Sequence, residues 1–158
     1  MKKFLFNKKI YILLLIILII YIDYFSKILI LKNFKINQKK IILSNFNIFY
    51  VQNHGLMFEI FSKKNIFQNN YLYKIYIIFT CIIIYKIYYF FKMNKINIYT
   101  FIFLFSGAIG NFIDRIKYKF VIDFIDFHYK NIHFPIFNLS DISIILGVIF
   151  FFKKNNFL

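Results

Sequence analysis

Acidic side chains are scarce in this chain. There are six in 158 residues: Asp23, Glu59, Asp114, Asp123, Asp126 and Asp141. Arginine is rarer still, because Arg115 stands alone among positive charges otherwise supplied by lysine. With a single cysteine, Cys81, no disulfide can close within the chain. Cys81 lies in an apolar run and reads as a packed core thiol. No H-E-x-x-H zinc motif is present, and His54, His128 and His133 lack metal-ligand spacing. No G-x-S-x-G nucleophile elbow appears, and Ser106, Ser140 and Ser143 have no histidine within the apolar runs to act as base. Zinc and serine hydrolysis therefore fit poorly, and no metal or cofactor is expected. Nor is there one basic segment of the kind that binds nucleic acid. The net charge of +15 is spread over lysines that flank the apolar runs, as headgroup-facing residues do. Richness in Ile, Phe, Tyr, Lys and Asn also has the look of an AT-rich genome.

Apolar length, by contrast, is plentiful. Hydrophobic residues make up 61% of the chain, against roughly 45–50% in soluble domains. The expected fold is an all-α integral membrane protein, a single domain over 1–158. Its four transmembrane helices are placed at about 10–31, 71–91, 96–113 and 137–152. A basic start followed by an apolar run resembles a signal peptide. The run from Ile10 to Leu31 nevertheless meets the roughly 20 residues needed to span a bilayer, and no small-residue cleavage site follows it. Segments 32–70 and 114–136 are assigned to the extracytoplasmic side. In the first of them, I-I-L-S-N-F-N-I-F-Y-V has the β-branched and aromatic content of a short strand. Lysines near both termini favour a cytoplasmic N-terminus, although the opposite connections carry many lysines too.

The acids converge. Four of the six fall between Gly107 and Asp141, and a carboxylate within or beside a bilayer marks function by default. Asp23 and Lys27, four apart, share a helix face and can pair. In an antiparallel arrangement of four spans, Asp23, Asn111, Asp114, Arg115, Asn138 and Asp141 all come to one membrane surface. N-F-I-D (111–114) and N-L-S-D (138–141) repeat one spacing on helices of opposite direction. Capping explains the second, since Asn138 is a good N-cap and Asp141 suits a first turn, but it explains the first poorly.

Two carboxylates held close cannot both ionise easily. The ionised one can activate water while the protonated one polarises a carbonyl, which is peptide hydrolysis without a covalent intermediate. Asp141 suits the ionised role at a helix N-terminus. Asp114 adjoins Arg115, and a pair between them would make it a positioner. Asp123 lies in apolar surroundings that raise its pKa. The choice falls on Asp123 with Asp141, and Asp126 is physically similar.

D-Y-F-S-K (23–27), N-H-G-L-M-F (53–58), G-A-I-G-N-F-I-D-R (107–115), V-I-D-F-I-D-F (121–127) and F-N-L-S-D (137–141) follow one another over nearly the whole chain. Together, and in family order, they resemble the bacterial lipoprotein signal peptidases (signal peptidase II), which are aspartic proteases of the inner membrane. The resemblance implies four transmembrane helices, cytoplasmic N- and C-termini, and a small extracytoplasmic β-cradle between the first two helices. It places the active site at the periplasmic face, with Asp123 and Asp141 as the catalytic pair. Asn53, Gly55, Asn111, Arg115 and Asn138 would line or support the substrate site, braced by Asp23, Lys27 and Asp114. The implied partners are diacylglyceryl-modified prolipoproteins, cleaved just before the lipidated cysteine, and membrane phospholipids, with the enzyme a monomer. Leu56 and Ser140 depart from the family pattern, which has Ala at both positions.

Other functions compete with this one. A small proton-coupled transporter or relay could use the same carboxylates, although transporters usually keep theirs near the bilayer midplane. A structural membrane subunit would use them only to cap and pair. The G-x-G-D class of intramembrane protease is disfavoured, because G-A-I-G-N lacks the Asp.

Overall fold

The computed structural model describes residues 2–54, 70–130 and 132–154. Helix α1 (Lys2–Asn33) is followed by strands β1 (Lys39–Leu43) and β2 (Phe46–Asn53), then helices α2 (Asn70–Lys92) and α3 (Ile98–Tyr118). Strands β3 (Val121–Tyr129) and β4 (Ile132–His133) precede the last helix, α4 (Leu139–Lys154). Four helices thus carry a three-stranded antiparallel sheet, β1–β2–β3, which the two-residue β4 extends at the far end of β3.

The sheet corrects one expectation. The chain is not all-α with a β element confined to the first connection, because β3 and β4 come from the segment between α3 and α4. The stretch read as one strand near residues 41–51 is a hairpin that reverses at Ser44 and Asn45. Pairing Val51 with Asp123 and Asn53 with Val121 then brings the two connections together.

Helix α1 buries the charged Asp23 and Lys27 and turns most of its apolar residues outward. Its buried positions include Ile16, Asp23, Lys27 and Ile30, while Leu14, Ile17, Leu18, Tyr21, Ile22 and Phe25 are exposed. A helix whose apolar residues point outward all round has a lipid-facing surface. The stretch Ile10–Asn33 is the one described helix long and apolar enough to cross a membrane. Cys81 is exposed on α2, so it is not the core thiol that its apolar surroundings imply.

Helix α3 is central, packing against α1, α2 and α4. Asn97 caps its start, accepting from Thr100 N at 2.7 Å and donating to Phe150 O at 3.0 Å, which ties the beginning of α3 to the end of α4. At Gly107 and Gly110, α4 lies so close that a Cβ on Gly107 would sit 2.5 Å from Ser140 O and one on Gly110 would collide with Ser140 Oγ. Small residues at this spacing let two helix backbones approach.

Apolar clusters lie on either side of a polar layer. Ile30, Tyr50, Ile122, Phe124 and Ile125 fill the space beneath the sheet, whereas Ile16, Ile96, Phe101 and Ile102 pack the other end of the bundle. Phe137 joins sheet to helices. Its N donates to Ile125 O at 3.2 Å and its O accepts from Ile125 N at 2.8 Å, immediately before α4 begins.

Candidate active site

The polar layer starts with a buried ion cluster. Lys27 Nζ lies 2.7 Å from Asp23 Oδ2 and 2.8 Å from Asp114 Oδ2, with all three side chains almost fully buried. Its third hydrogen goes to Asn111 Oδ1 at 3.2 Å. Both acids also have backbone partners. Ser140 N donates to Asp23 Oδ1 at 2.8 Å, and Ile122 N donates to Asp114 Oδ2 at 3.2 Å. A buried pair of this kind is costly to break, because removing one partner strands the other charge.

Asp114 is held by Lys27 and not by its neighbour Arg115. Adjacent residues on a helix point in different directions, so Asp114 turns to Lys27. Arg115 instead donates from Nη1 to Asn111 O at 3.1 Å, one turn back. Helix α3 continues to Tyr118, which puts both residues inside the helix.

Above the cluster, amide side chains hold two further acids. Asn138 Nδ2 donates to Asp123 Oδ1 at 2.7 Å and to Asn111 Oδ1 at 3.1 Å. Asn53 Nδ2 donates to Asp123 Oδ2 at 2.8 Å, and Asn111 Nδ2 to Asp141 Oδ1 at 2.8 Å. Asn138 and Asp141 also cap α4 reciprocally. Asp141 N donates to Asn138 Oδ1 at 3.0 Å, while Asn138 N donates to Asp141 Oδ2 at 3.2 Å. This is the geometry of a capping box, so at this helix capping and site-building are one arrangement.

Asp123 is 2% exposed. Burial, reinforced by the negative charge of Asp141, pushes its carboxyl up to about 7, against hydrogen bonds from Asn53 and Asn138 that favour the charged form. A carboxyl near neutrality is matched to proton transfer at physiological pH.

Asp126 has a different setting. On the sheet, its Oδ2 accepts from Asn47 Nδ2 at 2.8 Å and lies 3.5 Å from Lys39 Nζ. The same Asn47 nitrogen is 3.2 Å from His128 Nδ1. Nothing in the sequence marks Asn47, because a lone Asn in a strand gives no signal for a partner 79 residues away. Asp23, Lys27, Asn53, Asn111, Asp114, Asp123, Asn138 and Asp141 are thus linked in one hydrogen-bonded layer, with Arg115 at its edge. Gly55 and Leu56 lie outside the described residues.

Ser140, as a departure from the family pattern, carries the expectation of altered hydrogen bonding beside the site. Its Oγ is buried without a hydrogen-bond partner among the described residues and faces Gly110. Ser140→Ala is accordingly expected to leave turnover unchanged and to raise stability by about 1 kcal/mol, because it removes an unsatisfied hydroxyl. Thermal melts and initial rates on the purified pair check this.

A helical bundle capped by a sheet, with carboxylates gathered where the two meet, has the build of a membrane aspartic peptidase. The model of the signal peptidase (SPase) II family matches residues 15–156. A lipoprotein signal peptidase of Buchnera aphidicola subsp. Schizaphis graminum is 43% identical over 141 residues, covering 89% of this chain and 90% of the relative. One from Serratia proteamaculans is 33% identical over 133 residues, covering 84% and 79% respectively. Among solved structures, a bacterial membrane enzyme determined by the in meso method superposes with a TM-score of 0.78 at 31% identity, covering 92% of this chain and 87% of that one. This chain belongs to the signal peptidase II family. It is therefore an aspartic peptidase of the membrane, with lipoprotein signal peptidase activity.

Proposed function

We propose that Asp123 and Asp141 are the two working carboxylates, and that the substrates are diacylglyceryl-modified prolipoproteins cut just before the lipidated cysteine. One observation carries the pairing. Asn138 grips both acids at once, donating to Asp123 Oδ1 at 2.7 Å while its backbone N donates to Asp141 Oδ2 at 3.2 Å. One residue thereby ties a carboxylate of β3 to a carboxylate of α4.

With Asp123 pushed up to about 7, it holds the proton and Asp141 is the base. Asp141 takes a proton from water as the water oxygen attacks the scissile carbonyl carbon, and Asp123 gives its proton to the carbonyl oxygen. When the tetrahedral adduct collapses, Asp141 passes its proton to the leaving nitrogen and the C–N bond breaks. Asp123 recovers its proton from a hydroxyl of the adduct. The rate is expected to fall as pH rises through about 7, where Asp123 ionises.

Four membrane-crossing helices with both termini cytoplasmic would put this layer at the periplasmic face. The apolar outer surface of α1 supports lateral approach of a lipid-bearing substrate, since its acyl chains need never leave the bilayer. The test uses the enzyme in lipid, with a diacylglyceryl-modified prolipoprotein and its unlipidated form. Cleavage before the cysteine that requires the lipid is the expected result. Equal cleavage of both forms would remove the lipid from the reading, and no cleavage by folded enzyme would sink it.

A further inference from the structure

We propose that Lys27 is a positioning residue for the acid pair: its ammonium fixes which way the Asn111 amide points, and so makes Asn111 a donor to Asp141. The proposal rests on the dyad described above.

An Asn side chain has an acceptor end and a donor end of nearly the same shape, and its hydrogen-bond partners decide which is which. Asn111 Oδ1 receives Lys27 Nζ at 3.2 Å and Asn138 Nδ2 at 3.1 Å, leaving Nδ2 to donate to Asp141 Oδ1 at 2.8 Å. An ammonium has donors only. Turning the Asn111 amide over would set N–H groups against the Lys27 cation and present an oxygen to the Asp141 carboxylate.

The ammonium itself cannot turn, because its other hydrogens are taken by Asp23 at 2.7 Å and Asp114 at 2.8 Å. Those carboxylates are held in turn by Ser140 N and Ile122 N. The second amide, Asn138, is set by a different fixed donor: its Oδ1 accepts from Asp141 N at 3.0 Å, so its Nδ2 serves Asp123 and Asn111. The orientation of both amides therefore traces to one buried cation and one helix N–H. Charged groups acting with Lys27 are Asp23 from α1, Asp114 from α3, Asp123 from β3 and Asp141 from α4, and Arg115 from α3 also acts on Asp141. The Lys27 charge also favours the ionised form of Asp123, against the effect of burial.

Lys27→Met alone would leave two buried carboxylates unpaired and is expected to unfold the chain. The test is therefore made on Asp114→Asn, where adding Lys27→Met leaves the same net charge as the original trio. Relative to Asp114→Asn, this double variant is expected to lose about 30-fold or more in kcat. KM should stay within about threefold, and the high-pH limb should move upward by about half a unit, because the cation no longer favours ionised Asp123. A folded double variant with kcat within about threefold of Asp114→Asn would overturn the proposal whether or not the limb moves, leaving Lys27 a counter-ion only. If the Met variant does not fold, Lys27→Leu on the same background is read instead. A kcat about 30-fold or more below that of Asp114→Asn supports the proposal, and one within about threefold overturns it. Loss of cleavage in Asp123→Asn is measured alongside, so that the dyad reading stands or falls separately.

Discussion

Asp123→Asn and Asp141→Asn are each expected to cut kcat by about 10²–10⁴-fold in a chain that still folds. Asn preserves the volume of Asp and keeps one acceptor oxygen, but it can neither give up nor take a proton. At position 123 the effect on stability has the opposite sign to the effect on activity. The carboxyl of Asp123 sits at about 7 in the fold against an ordinary value of 3.8. Above 3.8 the unfolded chain ionises this group while the folded chain keeps it protonated, so stability falls as pH rises toward 7 and then levels off. Removing the ionisable group removes that loss. The amide introduced by the substitution will meet one N–H donor, from Asn53 or Asn138, which offsets part of the gain. Asp123→Asn should therefore melt no lower than the parent at a pH just above about 7 while cleaving almost nothing. Retained activity would point to Asp114 or Asp126 instead, whereas a fall in both melting temperature and activity would mark Asp123 as structural.

The second large effect is expected at Gly107. A Cβ there would meet Ser140 O at 2.5 Å, Ile144 Cγ1 at 2.7 Å and Ile144 N at 3.1 Å. Two of these neighbours are backbone atoms of α4 and cannot swing aside as a side-chain end can. Gly107→Ala must push α4 away from α3. That move would pull Ser140 N off Asp23 and draw Asn138 and Asp141 away from Asn111. Overpacking of this kind costs about 1–3 kcal/mol, more than the roughly 1 kcal/mol that replacing a helical Gly with Ala returns. Lower melting temperature and lower turnover together are the expected outcome, followed by differential scanning fluorimetry and the cleavage assay. An alanine variant with parental stability and rate would mean that α4 can yield without disturbing the site.

Local spacing made part of this site readable. Asp23 and Lys27, four apart on one helix, do form an ion pair at 2.7 Å. The two Asn-x-x-Asp segments do meet, through the contact of Asn138 with Asn111 at 3.1 Å. What spacing could not supply was the third dimension. Lys27 finds its second carboxylate on α3, and Asp123 finds Asn53 from 70 residues away. Adjacency misled at Asp114 and Arg115, because neighbours on a helix diverge. The sheet was half visible for a similar reason. V-I-D-F-I-D-F is buried on both faces from Val121 to Asp126, so it lacks the alternation that marks a strand with one wet face. Its acids also looked equivalent until the fold gave Asp126 to Asn47, and Asp123 to Asn53 and to Asn138 at the start of α4.

The closeness of Asp23 and Lys27 along the chain also bears on how the molecule is made. Synthesis runs from the N-terminus, and Asp23 receives its hydrogen bond from Ser140, which is 117 residues further on. Its carboxylate must enter the translocation machinery long before α3 or α4 exists to receive it. A lone carboxylate in an inserting helix is disfavoured, by up to about 2.5–3.5 kcal/mol at the helix centre. Lys27, one turn later in the same helix, emerges from the ribosome with it and can neutralise it from the start. The first helix thus brings its own counter-ion through biogenesis, and the later helices dock onto a charge already in place.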